Sequence, residues 1–135
     1  MGPPYKVLLD TSFLNYAVRY KIDIVTGLIQ CLCAKVTPYI TDCIMAELEK
    51  NHKQFGIALR LAKDPRIKRI HCTHPNIGYG DDCLCQKASE CKCYMVATND
   101  RELRQRIRKI PGIPIVYAKQ SQKFGVERLP DTDVL

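Results

Sequence analysis

Lys6-Val7-Leu8-Leu9-Asp10 is the stretch on which the fold of this chain turns. Three consecutive apolar residues ending on a carboxylate read as a short strand buried on both faces, and such strands belong to parallel sheets covered by helices. Thr11 or Ser12 can cap a helix directly after it, in which Phe13, Leu14, Ala17 and Val18 recur at helical spacing. Strand, acid and helix in immediate succession predict an alternating α/β chain, in which ligands bind beyond the carboxyl ends of the strands.

The same alternation continues outward. A helix is expected over 22–34, a strand from Val36 to Ile40, and a helix capped by Thr41 through about residue 51. Residues 54–62 read as helix, stopped by Asp64-Pro65. A short strand follows from Ile67 to His71, then the loop 73–80, a helix from Asp82 to about Ala88, and a strand from Cys93 to Thr98. Asn99 or Thr98 caps a basic helix over 100–109, Ile113 to Tyr117 is a last buried strand, and 118–135 reads as edge or tail. The expected architecture is three-layer α/β/α around a central parallel sheet of four or five strands.

The 135 residues fit one domain spanning 1–135. Apolar content is 46% and no run approaches the length of a membrane span. No signal peptide is visible, since Met1-Gly2-Pro3-Pro4-Tyr5-Lys6 runs straight into the first strand, so a soluble intracellular protein is expected. Twenty-one Lys and Arg against fourteen Asp and Glu give a net charge of +7, which suggests a polyanionic partner such as nucleic acid. No exposed apolar stripe argues for a homodimer, and a monomer is expected.

Four acids carry the chemistry. Asp10 ends the first strand, Glu47 lies in the helix after Tyr39-Ile40-Thr41, Asp82 opens its helix, and Asp100 follows Tyr94-Met95-Val96-Ala97-Thr98. Carboxylates gathered at one sheet edge repel one another unless hard cations such as Mg²⁺ or Mn²⁺ neutralise them. Attack on a phosphodiester builds negative charge that two such cations, about 3.5–4 Å apart, offset at the entering and leaving atoms. Other phosphate-handling folds fit poorly. A haloacid-dehalogenase-type phosphatase needs an Asp where Ser12 stands, a receiver domain needs paired acids at its first strand, and the P-loop motif is absent.

Leu9-Asp10-Thr11, the segment Ile40 to Lys50, Asp81-Asp82-Cys83-Leu84 and Val96-Ala97-Thr98-Asn99-Asp100 resemble the acid motifs of PIN-domain ribonucleases. Together with Gly2-Pro3-Pro4-Tyr5, Ala62 to Ile67 and Arg106 to Pro114, they resemble in particular the small-subunit processome nuclease family known as U-three-associated protein twenty-four. The resemblance covers nearly the whole chain. It implies a metal-dependent endoribonuclease cutting precursor ribosomal RNA, with the U3 small nucleolar ribonucleoprotein and other processome proteins as partners, in the nucleolus of the nucleus. It matches Asp10, Glu47, Asp82 and Asp100 to the family's metal-binding acids. Of the acidic doublet, Asp82 is the match because the family usually places an Asp directly before the small helix residue, here Cys83. Ser12 stands where the family usually has Asn, a departure bearing on the hydrogen bond to Asp10. Members also usually carry a basic N-terminal extension, whereas this chain opens at the core domain.

The eight cysteines divide into two groups. Cys31, Cys33 and Cys43 sit among Leu, Ile, Ala and Val and read as buried small hydrophobes. The other five crowd into 72–93 beside His71 and His74, which suggests metal in preference to disulfide. Cys72, His74, Cys83 and Cys91 are the expected zinc ligands, in an insertion within 71–93, with Cys93 pointing into the core of its strand. The alternative is a set of reduced packing cysteines with a loop histidine.

Arg101, Arg104, Arg106, Arg108 and Lys109 interleave with Leu103, Ile107 and Ile110, so an apolar stripe packs inward and the cations face out as a candidate RNA track, extended by Lys63, Arg66, Lys68 and Arg69. A solvated basic face or a protein-docking surface is the plainer account of these residues. Two rival functions remain. One is a catalytically silent RNA- and protein-binding assembly factor of the same particle. The other is a bacterial toxin-type PIN ribonuclease, which the Pro- and Arg-rich segments disfavour.

Overall fold

A computed structural model describes residues 2–74, 79–120 and 123–127. The middle of the expected loop, 75–78, and the end of the expected tail, 128–135, lie outside the described residues, as do 1, 121 and 122. The elements run β1 (Tyr5–Leu9), α1 (Thr11–Arg19), α2 (Ile24–Leu32), β2 (Val36–Thr41), α3 (Asp42–Lys50), α4 (His52–Ala62), β3 (Lys68–Ile70), α5 (Gly80–Glu90), β4 (Tyr94–Ala97), α6 (Arg101–Arg108), β5 (Ile115–Gln120) and β6 (Lys123–Glu127).

One sheet has the order β3-β2-β1-β4-β5-β6, parallel between all neighbours except β5 and β6. A helix or helix pair links each two consecutive parallel strands, α1 and α2 between β1 and β2, α3 and α4 between β2 and β3, α5 between β3 and β4, and α6 between β4 and β5, the pattern of a helix-covered parallel sheet. The apolar runs become the centre of the molecule: Val7, Leu8 and Leu9 in β1 and Met95, Val96 and Ala97 in β4 are fully buried. Burial on both faces leaves no room for polar alternation, which is why those strands read as continuous hydrophobic stretches.

Five strands, β3, β2, β1, β4 and β5, form the expected parallel sheet, and an edge strand is added on its C-terminal side. Residues 123–127 form a sixth strand, antiparallel to β5, because two residues between Gln120 and Lys123 are too few for a crossover. Phe124 anchors this strand by packing on Phe13, with ring centroids 4.6 Å apart. A Cβ at Gly27 of α2 would lie 2.5 Å from the Phe124 ring, so the glycine provides the close approach that seats β6. One correction concerns Cys33. Helix α2 ends at Leu32, and Cys33 is an exposed left-handed cap (φ 53°), while Cys31 is half-buried; neither is a core hydrophobe.

Candidate functional site

β1 and β4 are adjacent at the centre of the sheet, and the strand order departs in opposite directions from them. That switch point opens a crevice beyond their carboxyl ends. Asp10 and Asp100 flank it, and the Asp10 amide donates to the Ala97 carbonyl at 3.0 Å, tying the first acid to the end of β4.

Asp10 is 3% exposed. Its Oδ2 accepts hydrogen bonds from Ser12 Oγ at 2.6 Å and Thr98 Oγ1 at 2.8 Å. Burial pushes its carboxyl above the ordinary range, and these hydrogen bonds, with those from the Thr11 and Ser12 amides, oppose the shift. Ser12, the departure from the family's usual Asn, therefore supplies the bond to Asp10 itself, and its Oγ also accepts from the Asn99 amide at 3.0 Å. Neither Thr11 nor Ser12 caps α1 as expected. Asp10 occupies the N-cap position, and the Thr11 hydroxyl donates instead to Glu47 Oε2 at 2.8 Å.

Glu47 projects from α3 and is held from a second side by the Gly80 amide, 2.9 Å from Oε1. Burial raises its carboxyl, as does the charge of Asp10, against the hydrogen bonds from Thr11 and Gly80. A Cβ on Gly80 would collide with Glu47 Oε1 and Ile44 Cδ1, so only glycine lets α5 start this close to α3. Asp100 caps α6 itself, its Oδ1 accepting from the amides of Glu102 at 2.8 Å and Leu103 at 3.3 Å, in place of the expected Asn99 or Thr98. Asn99 instead pairs with the Ala118 backbone of β5, at 2.8 and 3.2 Å.

The acidic doublet resolves differently from expectation. Helix α5 begins at Gly80 and not at Asp82, which turns Asp81 inward and Asp82 outward, about 100° apart on the helix. The Asp82 side chain is 69% exposed and pairs with Arg106 at 2.9 Å. Asp81 is half-buried and lies in the field of Asp10, Asp100 and Glu47. Burial, followed by those three charges, pushes it up to about 6, against the pull of Arg106. The structure thus brings Asp10, Glu47 and Asp100 together with Asp81. The earlier signal was Gly80, whose lack of a side chain sets the phase of the helix.

The cysteine–histidine set is also corrected by one member. Cys43, Cys72, His74 and Cys83 present ligand atoms all within 4.8 Å of one another. Cys43 Sγ lies 3.3 Å from His74 Nε2 and 3.7 Å from Cys72 Sγ, and Cys72 and Cys83 sulfurs are 3.6 Å apart. A tetrahedron with arms of about 2.3 Å has edges of about 3.8 Å, so these spacings suit a four-coordinate metal with thiolate and imidazole ligands. Cys91 does not join them. It is bonded to Cys93 by a disulfide, which also withdraws Cys93 from the role of a core residue. Cys43, which reads as a packing residue from its neighbours, is the candidate ligand that the sequence missed; it stands one helical turn before Glu47 on the same face. Burial and the neighbouring Cys72 and Cys43 thiols push Cys83 up to about 12. Cys72 is held in place by its amide, which donates to Asp42 Oδ2 at 2.8 Å.

On α6, Arg101 and Lys109 are exposed, whereas the other predicted cations are engaged. Arg104 lies over the Tyr117 ring, 5.2 Å from its centroid, and Arg106 holds Asp82. Arg108 grips both oxygens of Glu127 at 2.8 and 3.1 Å, so it braces β6.

This geometry can be set beside known proteins. The Fcf1 family model matches residues 30–128. The chain belongs to the Fcf1 family. It is 52% identical over 131 residues to the mouse rRNA-processing protein FCF1 homolog, covering 97% of this chain and 65% of that protein. To the rRNA-processing protein FCF1 of Saccharomyces cerevisiae it is 54% identical over 129 residues, covering 96% and 67%. The solved structure of the PIN domain endonuclease Utp24 superposes with a TM-score of 0.89 at 55% identity, covering 95% of each chain. The chain is therefore a PIN domain, and it spans somewhat less than two thirds of the length of the mouse Fcf1 relative. Among the described residues no helix is long and apolar enough to cross a membrane.

Proposed function

We propose that this chain is the metal-dependent endoribonuclease domain of an rRNA-processing factor, the processome nuclease within the Fcf1 family, and that it cuts precursor ribosomal RNA during small-subunit maturation. The observation that carries this reading is the convergence of Asp10, Glu47 and Asp100 on Asp81 at the switch point of the sheet, close enough that their charges act on its carboxyl. Four carboxylates gathered at one point form an all-oxygen donor set of the kind that Mg²⁺ or Mn²⁺ occupies. When bound there, such a cation would lower the pKa of a water and offset charge on a phosphodiester.

The residues themselves perform the rest. Ser12 and Thr98 fix one oxygen of Asp10, Thr11 and Gly80 orient Glu47, and the α6 cap fixes Asp100. Arg101, Arg106 and Lys109, with Lys63 and Lys68, supply positive surface along which an RNA backbone can run, whereas Arg66 is taken up by Asp23 and Asp64 and Arg69 by Asp42. Zinc in the Cys43, Cys72, His74 and Cys83 set is a structural part of the same reading, because it would join α3, which carries Glu47, to α5, which carries Asp81. Pre-rRNA, the U3 small nucleolar ribonucleoprotein and other processome proteins are the proposed partners, and the nucleolus is the proposed location. The test is cleavage of a pre-rRNA fragment with Mn²⁺ or Mg²⁺: Asp10→Asn and Asp81→Asn abolish it and Asp82→Asn retains it. A wild-type chain that binds the fragment tightly, holds its zinc and never cuts is instead the silent assembly factor.

A further inference from the structure

Beside the four acids lies an open cavity of about 310 Å³ lined by Glu47, Tyr79, Gly80, Asp81, Asp82 and Arg106. Of these six residues only Glu47 and Asp81 belong to the acid cluster, and Tyr79 and Arg106 are the two whose side chains suit a base and a phosphate. Tyr79 leaves its side chain in solvent at 65% exposure, and it is the aromatic member of the exposed large hydrophobic residues Ile29, Ile57 and Tyr79. Arg106 is the lone cation among the six, and it is spent on a surface ion pair with Asp82, whose side chain is 69% exposed. Such pairs contribute little, typically about 0–1 kcal/mol, so Arg106 can exchange Asp82 for another anion at small cost.

The backbone is anchored on the C-terminal side of Tyr79. Tyr79 immediately precedes Gly80, whose amide is held by Glu47. The Tyr79 carbonyl in turn accepts from the Cys83 amide at 3.0 Å, at the residue that contributes a thiol to the cysteine–histidine set. An exposed aromatic ring beside backbone held by these two hydrogen bonds offers a face on which a nucleobase can stack.

We propose that this cavity is a nucleotide subsite of the nuclease, in which Tyr79 stacks the base of a nucleotide adjoining the cut and Arg106 leaves Asp82 to hold that nucleotide's phosphate. A cavity walled by carboxylates repels a sugar–phosphate backbone, so the substrate needs one cation at the rim to bring it alongside the acids. Stacking is tolerant of base identity, so the subsite sets register along a single strand and does not select sequence. Asp82 serves as the resting partner of Arg106, which accounts for an acid beside Asp81 that faces away from the acid cluster.

This inference rests on the nuclease reading, and its test separates the two. A short single-stranded RNA carrying 2-aminopurine next to the cut position is titrated onto the full chain bearing Asp10→Asn, and is cut by the chain with Asp10 intact. Tyr79→Ala weakens binding roughly tenfold and removes the fluorescence quench that stacking produces, while Tyr79→Phe and Tyr79→Trp restore both. In cleavage, Tyr79→Ala raises KM and leaves kcat near its original value. Arg106→Gln weakens binding and lowers the salt dependence by about one phosphate contact, which Arg106→Lys partly restores. A quench that depends on Tyr79 in a chain that never cuts overturns the nuclease reading and supports the subsite. Cleavage with Tyr79→Ala and Tyr79→Leu both binding and quenching like the original chain overturns the subsite and spares the nuclease.

Discussion

The acid cluster and the cysteine–histidine cluster share two helices and obey opposite electrostatics. α3 carries Cys43 and, one turn later, Glu47; α5 carries Asp81 and, two residues later, Cys83. The sulfur side has the spacing of a closed four-coordinate site, which can gain folding energy from its metal. The oxygen side is held together against its own charge, with Asp81 raised to about 6. The contrast suggests a division of labour in which one metal site supplies the rigidity that the other, repulsive one cannot provide for itself.

The sharpest way to break this division is to remove the sulfur side. Cys83→Ser, or Cys72→Ser, is expected to release zinc and lower the melting temperature by on the order of 10 °C, with nuclease activity falling in parallel. Elemental analysis and a thermal scan check it, and a purified chain without zinc that keeps its full stability would refute the coupling. On the oxygen side, Asp10→Asn is expected to reduce cleavage by more than about a hundredfold while leaving zinc content unchanged. Gly80→Ala removes no ligand but displaces Glu47, so it should cost roughly tenfold or more in cleavage, read from a time course on the same RNA.

The smallest effect is the most specific. Because the folded-state pKa of Asp81 lies above its ordinary value of 3.8, the folded metal-free chain binds a proton that the unfolded chain has lost. The Asp81 contribution to stability is therefore complete below its unfolded pKa and disappears as pH rises through about 6. Asp81→Asn should abolish that loss and stabilise the metal-free chain near neutral pH by on the order of 1 kcal/mol, after allowing for solvent screening of a half-buried group. Thermal scans of both chains, with and without Mn²⁺, measure it; added Mn²⁺ should raise the melting temperature of the original chain alone.

The legible parts of this molecule are those governed by strands. Val7 to Leu9 and Met95 to Ala97 announce themselves as buried parallel strands, so the positions of Asp10 and Asp100 follow from the residues alone. Helical phase is less visible. Asp81 and Asp82 are chemically identical neighbours, and which one faces the acids depends on where α5 starts, a matter decided by the contact of Gly80 with Glu47 and Ile44. Cys43 was hidden by its surroundings, since a cysteine among Ile44, Met45 and Thr41 looks like packing until Cys72 and Cys83 arrive from distant parts of the chain. Cys91 attracted attention through nearness in sequence, but it closes on Cys93 instead. Arg101, Arg106, Arg108 and Lys109 face outward as the apolar stripe requires, but Arg104 is half-buried over Tyr117 and Arg108 is taken up by Glu127, contacts from distant segments that the spacing does not reveal.

The most direct measurement is a calorimetric titration of Mn²⁺ into the zinc-loaded chain, compared with Asp81→Asn and Asp82→Asn. Binding that survives Asp82→Asn and is lost with Asp81→Asn is the predicted result. Binding lost with Asp82→Asn and kept with Asp81→Asn, or no binding by a folded original chain, would contradict a cation site built from Asp10, Glu47, Asp81 and Asp100.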